Sequence, residues 1–251
     1  MRDNLTAPKS KTDISPIKTI SVFGLTKSAA AAQLSGFKRL FPQFKLGLQA
    51  KFPVVRVKVQ ADGPNPVHSK DLLEDGIQWV CQRLGNDVFS DSGQSMEHVV
   101  GMLLHEKNAT LAVAESCTGG LIANLLTDVP GSSDYFLLSA VTYANQAKMK
   151  ILDVNAKTLE KNGAVSEQTA SEMAMGARNV VDATYGLATS GIAGPGGGTD
   201  DKPVGTVCIG LATPLSATAH QFYFPHHSRK KTKYIFAVTA LDLLRKELLS
   251  A

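Results

Sequence analysis

The stretch from Leu111 to Gly120, LAVAESCTGG, carries a small apolar run into Glu115, Ser116, Cys117 and Thr118, then turns on Gly119 and Gly120. Hydroxyl and thiol groups at the end of a buried strand can supply a nucleophile. The glycines allow a tight turn and close approach of backbone to a ligand. The segment that follows, LIANLLTDV, is apolar-periodic and predicts a helix whose first N–H groups are free to meet an anion or a developing oxyanion. The chemistry this suits is acyl transfer, such as amide hydrolysis, which needs a nucleophile, a base and donors for the tetrahedral oxyanion. The same letters also fit an ordinary strand-to-helix connection capped by Ser or Thr.

Ser116 sits where the strand meets the turn, as the nucleophile elbow of α/β hydrolases does, although the letters are not GxSxG. Cys117 is the rival, because a thiolate is the stronger nucleophile. Neighbours on an extended chain point in opposite directions, so only one of the two faces a site. A second stretch, VTYANQAK (Val141 to Lys148), offers Lys148 as a base if burial lowers its pKa, with Tyr143 to relay a proton or orient the lysine. A third, SGIAGPGGGTDDKPVGTV (Ser190 to Val207), is rich in glycines that can present backbone N–H groups to a phosphate. Ser190, Thr199 and Lys202 add donors there. It has neither the Walker nor the dinucleotide-binding glycine spacing. None of these stretches contains histidine, which argues against a Ser-His-Asp triad.

The 251 residues suffice for one large domain or two modest ones. A hydrophobic fraction of 43% and a charged fraction of 19% are those of a globular protein, and a net charge of +4 does not demand a nucleic-acid partner. No apolar run reaches membrane-spanning length, and the N-terminus lacks the apolar core of a signal peptide. The three cysteines, Cys81, Cys117 and Cys208, show no CxxC spacing, which argues for a reducing compartment and against a disulfide framework or zinc cluster. The adjacent His226 and His227 read as a loop pair. No metal site is expected.

These residues need a scaffold. Residues 1–16 read as a flexible lead-in. A strand KTISVFGL, a helix from Lys27 to Leu40, strands Phe44–Gln49 and Val54–Gln60, a turn at ADGPNP, a helix Lys70–Leu84 capped by Ser69, and a strand DVFS predict a small α+β domain over 17–92. Residues 93–251 read as helix Met96–Lys107 capped by Ser95, strand 111–115, helix Leu121–Asp128, strand Leu137–Tyr143, helices Gln146–Leu152 and Ala156–Lys161, and helix Glu167–Val181 capped by Ser166. Strands Tyr185–Ser190, Gly205–Thr213 and Ala219–Phe224 follow, the last two as antiparallel neighbours, and a helix Lys230–Leu249 closes the chain. That order predicts a three-layer α/β/α domain with a mixed sheet. The chemistry-bearing residues fall at strand ends, where such folds bind ligands.

In order and spacing, ESCTGG, DVPGSSDYF, VTYANQAK and SGIAGPGGGTDDKPVGTV resemble the C-terminal domain of the competence/damage-inducible protein CinA family, from about Met96 to Leu249. Stand-alone relatives of that domain are nicotinamide-nucleotide amidases. The resemblance implies hydrolysis of the carboxamide of nicotinamide mononucleotide to nicotinic acid mononucleotide and ammonia, in pyridine-nucleotide salvage, by a Ser/Lys mechanism without metal or organic cofactor. The family's Tyr-x-Asn-x-x-Lys motif falls on Tyr143, Asn145 and Lys148, so Ser116, Lys148 and Tyr143 are the implied catalytic residues. Implied substrate contacts are Glu115, Thr118, Gly119 and Gly120 in the first motif, Ser133 in the second and Asn145 in the third. In the glycine-rich motif they are Ser190, Gly191, Gly194, Gly197 and Thr199. Arg229 falls near a family arginine from a GDR-like segment, a phosphate ligand on this reading.

Where the family usually reads YSNEAK, this chain reads YANQAK: Ala144 replaces a serine and Gln146 an acid. Those changes motivate a rival reading, a nucleotide-binding or interaction protein that keeps the fold without turnover. Residues 17–92 resemble the KH-like middle domain of full-length CinA, with VFGL and RLGNDVFS as matching pieces. They hold no GxxG loop to clamp RNA, so a structural or dimer-building module is expected rather than a nucleic-acid binder. Full-length CinA also carries an N-terminal domain resembling molybdopterin-binding proteins, which this sequence lacks, so cleavage of ADP-ribose is not expected. A cytoplasmic homodimer is.

Overall fold

The structure is a computed structural model that describes residues 17–61, 69–225 and 228–251. The chain divides into two compact units at Gly93/Gln94. The turn ADGPNP lies outside the described residues from Asp62 onward, as do the His226–His227 pair and the side chain of Ser69.

In the first unit the order is β1 (Ile17–Phe23), α1 (Lys27–Gln33), α2 (Phe37–Leu40), β2 (Phe44–Lys51), β3 (Val54–Ala61), α3 (Ser69–Leu84) and β4 (Val88–Ser90). The strands form an antiparallel sheet in the order β2-β3-β1-β4. The alternation of VVRVKVQ sends Val55, Val57 and Val59 to one face, where they meet Ile20, Val22, Phe44, Phe37, Ile77 and Val80. The single helix expected over Lys27–Leu40 is broken in two. Leu34 ends α1 and Gly36 precedes α2, because Ser35 and Gly36 are poor helix formers and the turn lets Leu34 and Phe37 both reach the core. Leu40, which a continuous helix would have placed with them, stays 51% exposed.

In the second unit the order is α4 (Met96–Glu106), β5 (Leu111–Glu115), α5 (Leu121–Thr127), β6 (Phe136–Val141), α6 (Asn145–Leu152), α7 (Ala156–Asn162), α8 (Glu167–Val180), β7 (Tyr185–Gly191), β8 (Thr206–Ala212), β9 (Ala217–Tyr223) and α9 (Arg229–Ser250). The sheet order is β6-β5-β7-β8-β9, parallel across β6, β5 and β7 and antiparallel from β7 to β9. β5, β7 and β8 are buried along nearly their whole length, so both faces of the sheet are covered. α8 packs on β5, β7, β8 and β9 with α6 and α7 beside it, and α9 packs on β7 and β8 with α4 and α5. Ser166 caps α8 by accepting from the Thr169 N–H at 3.2 Å, whereas Ser95 occupies the cap of α4 without a side-chain bond. Among the described residues no helix is long and apolar enough to cross a membrane.

Small residues set how closely α8 approaches the sheet. Its inner face carries Ala170, Ala174 and Ala177. A Cβ on Gly210 would stand 2.0 Å from the Ala170 carbonyl oxygen, and one on Gly186 2.0 Å from that of Ala174. Backbone is the obstacle in both cases, so no rotamer change relieves it. Gly210→Ala is therefore expected to lower the unfolding free energy by about 1–3 kcal/mol or more, the usual cost of overpacking. Urea denaturation of the variant beside the parent checks it.

Candidate active site

β5 is the central parallel strand, with β6 on one side and β7 on the other. The chain passes from β5 through α5 to β6, then returns through α6–α8 to β7. The strand order reverses at β5, and the carboxyl ends of parallel strands at such a point open a crevice between diverging loops. Ser116 follows β5, Thr142 and Tyr143 follow β6, and Ser190 and Gly191 end β7. The fold thus gathers three of the sequence motifs at one edge.

The centre of this edge is Lys148. It lies on α6, is 1% exposed, and donates from Nζ to Ser116 Oγ at 3.2 Å, to the Thr142 carbonyl at 2.8 Å and to the Tyr143 carbonyl at 3.3 Å. Strand β6 stops at Val141, two residues short of the expected end at Tyr143, and that early stop leaves these two carbonyls free to meet the lysine. Burial lowers the Lys148 pKa from its ordinary 10.5, opposed in part by Cys117. The three partners satisfy the group in either protonation state. As an ammonium it donates to all three. As an amine it donates two N–H groups to the two carbonyls and turns its lone pair to the Ser116 hydroxyl.

Cys117 is 5% exposed and its thiol is pushed up to about 12, chiefly by burial. A thiolate there is scarce at neutral pH, which separates it from Ser116, the half-buried hydroxyl next to it that Lys148 contacts.

The side chains of Glu115 and Thr118 are buried and hydrogen-bonded within the protein. Glu115 is fully buried, and its carboxylate accepts from the N–H groups of Ile122 at 3.1 Å and Ala123 at 2.9 Å and from Ser139 Oγ at 3.3 Å. It holds the first turn of α5, so the helix N–H groups expected to be free for an anion are taken. Thr118 is fully buried with Oγ1 2.7 Å from Thr189 Oγ1. Gly119 and Gly120 have φ of +59° and +86°, a turn that favours glycine. Among the described residues, the N–H groups of Thr118 and Gly120 donate to no backbone carbonyl; Thr118 is fully buried, so of the two the half-buried Gly120 is the one placed to meet an oxyanion.

Ser133 is not brought to this edge. It lies in the short turn Ser132–Asp134 that precedes β6, at the amino end of a strand whose carboxyl end carries Thr142. Six residues of parallel strand, at about 3.3 Å each, put it some 20 Å away. Its motif is near Ser116 in sequence, but the strand between them runs the full height of the sheet.

The glycine-rich loop after β7 reaches the same edge through Arg229, the first residue of α9. Its guanidinium donates from Nη1 to the Gly194 carbonyl and from Nη2 to Tyr143 Oη at 3.2 Å. Tyr143 is 62% exposed, so its phenol serves Arg229 while its carbonyl serves Lys148. Asn145 opens α6 and is exposed. Ser190 is buried, its hydroxyl donated to the Ala164 carbonyl, and Gly191 ends β7 opposite Val207. Gly197 is exposed with φ +88°. Thr199 closes a turn with Lys202, whose Nζ donates to the Asn162 carbonyl at 3.0 Å. Ala144 is the N-cap of α6 and makes no side-chain cap bond, so the departure from serine falls on a capping position. Gln146 is exposed.

Several contributors escaped the sequence reading: Thr142 through its carbonyl, Thr189 and Ser139 through their hydroxyls, and Lys233. A Cβ on Gly119 would stand 3.2 Å from Lys233 Nζ. The one available signal was that Lys233 lies four residues after Arg229, hence on the same helix face.

A family model described as the CinA C-terminal domain matches residues 93–248. A CinA-like protein of Desulforapulum autotrophicum is 51% identical over 95% of this chain and 56% of its own length, and one of Desulfosudis oleivorans is 51% identical over 92% and 56%. The chain thus spans little more than half the length of these relatives. Among solved structures, the competence/damage inducible protein CihA of Agrobacterium tumefaciens is similar at 36% identity and a TM-score of 0.58, over 62% of this chain and 97% of that one. A CinA superfamily protein of Klebsiella pneumoniae is similar at 29% identity and a TM-score of 0.60, with the same coverage. With a family model matched over more than half its length, and relatives at this identity, the chain belongs to the CinA family.

Proposed function

We propose that this chain hydrolyses the carboxamide of nicotinamide mononucleotide to nicotinic acid mononucleotide and ammonia. The observation that carries the reading is the contact of a buried lysine, its pKa lowered by desolvation, with a half-buried serine hydroxyl at the carboxyl end of the central strand. A serine so placed needs only a neighbouring base to become a nucleophile.

The steps follow from the hydrogen bonds. Neutral Lys148 takes the Ser116 proton as Oγ attacks the carboxamide carbon. The carbonyl oxygen becomes an oxyanion, for which the Gly120 N–H at the half-buried turn is the free donor. The tetrahedral intermediate collapses as the C–N bond breaks, and the Lys148 ammonium protonates the departing nitrogen to release ammonia. Water then attacks the acyl-enzyme, giving its proton to Lys148, and Ser116 recovers its proton as nicotinic acid mononucleotide leaves. The Thr142 and Tyr143 carbonyls hold Nζ in place throughout. Arg229, at the seam of the Tyr143 and Gly194 loops, is the phosphate ligand in this reading.

The test is ammonia release from nicotinamide mononucleotide by the purified protein, with Cys117→Ala beside it. Turnover is expected in both, within a few-fold of each other, because the thiol is buried and protonated. Loss of turnover in a folded Cys117→Ala would move the nucleophile from Ser116 to Cys117. Nucleotide binding without ammonia release would leave the family fold serving recognition alone.

A further inference from the structure

α9 opens with Arg229, Lys230, Lys231, Thr232 and Lys233 and has no acidic residue in its first turn. Cations at that end of a helix oppose its dipole, so helix stability does not select them. Arg229 and Lys233 are four residues apart and share a face. Arg229 already spans the Tyr143 and Gly194 loops. Lys233 reaches the other side of the same edge. Its Nζ fills the space a side chain on Gly119 would take, 3.2 Å from that Cβ position, and the same position is 4.0 Å from the Ser116 carbonyl oxygen. The ammonium makes no hydrogen bond or ion pair with another described residue. It does not touch the Ser116 hydroxyl, whose lysine partner is Lys148, so it stands one step along the turn from the reacting group.

We propose that Lys233 binds the phosphate monoester of the substrate and makes the site selective for a nucleotide over its nucleoside. This rests on the amidase reading of the same site. A half-buried lysine with no acidic partner among the described residues, aligned on one helix face with an arginine, offers a dianion a charge-assisted hydrogen bond.

The experiment compares kcat/KM for nicotinamide mononucleotide and for nicotinamide riboside in the parent, Lys233→Gln and Lys233→Arg. In Lys233→Gln the nucleotide-over-nucleoside ratio is expected to fall about 10-fold or more, the range for one hydrogen bond to a charged group, and Lys233→Arg should restore most of it. Equal losses on both substrates, or an unchanged ratio, would overturn the proposal. Calorimetric binding of nicotinamide mononucleotide to parent and Lys233→Gln separates this from the amidase reading. Binding weakened about 10-fold in the variant, with no ammonia released by the parent, would sink the amidase reading alone. Equal affinity would sink the role of Lys233, and no binding to the parent would sink both.

Discussion

Lys148→Ala is expected to reduce ammonia release from nicotinamide mononucleotide by about 10²–10⁴-fold, the range attributed to a positioned general base. The lysine is hydrogen-bonded to the Ser116 hydroxyl, and two backbone carbonyls fix its position. Ser116→Ala should lose turnover comparably. The double variant should lose little more than either, because nucleophile and base act as one unit and their effects are non-additive. Lys148→Arg should stay inactive, since a guanidinium remains protonated.

The pH dependence has a definite sign. Below the folded pKa, Lys148 is an ammonium and cannot accept the serine proton; above it, the amine can. Burial moves that pKa down from 10.5, so kcat/KM should climb with pH and level off with an apparent pKa below 10.5. A flat profile, or additive losses in the double variant, would remove Lys148 from the role of base.

Glu115→Ala is expected to cost stability before it costs chemistry. The carboxylate is fully buried and accepts two backbone N–H groups of α5 and one serine hydroxyl. Each buried donor left without a partner costs about 1–3 kcal/mol. Losing two backbone partners is therefore a large share of the roughly 5–15 kcal/mol that holds a domain together. Glu115→Gln should fall between parent and alanine variant, because its amide offers one acceptor oxygen and turns an NH2 towards the other N–H. Chemical denaturation without substrate checks the order. An unchanged midpoint in Glu115→Gln together with lost turnover would return Glu115 to the substrate.

The difference between Glu115 and Ser116 marks where reading from letters stops. Both stand in ESCTGG, and the resemblance puts both at the site, Ser116 as nucleophile and Glu115 as a substrate contact. A side chain's use depends on its direction at the end of β5: Ser116 turns to α6 and meets Lys148, while Glu115 turns under α5 and is consumed there. Ser133 shows the same limit at larger scale. Its motif is close in sequence, yet strand direction sends it to the far end of the sheet. Arg229 is the opposite case, 86 residues from Tyr143 in sequence and hydrogen-bonded to it.

What the sequence by itself determined is local and periodic. The alternation of VVRVKVQ, the apolar runs LAVA and TVCIGLA, and the glycine and serine punctuation define strands, helices and their order, because residue pattern acts on the chain within a few positions. From that order came a mixed α/β/α sheet, and from the motifs came Ser116 and Lys148. Tertiary structure alone decided which carbonyls hold the lysine and which carboxylate is spent on a helix. It also decided that Cys117 is buried as a thiol and that α9 delivers Arg229 and Lys233 to the edge. Those outcomes depend on where strands end and on which side of β5 the chain crosses. Both follow from packing between segments far apart in the chain, which no window of residues contains.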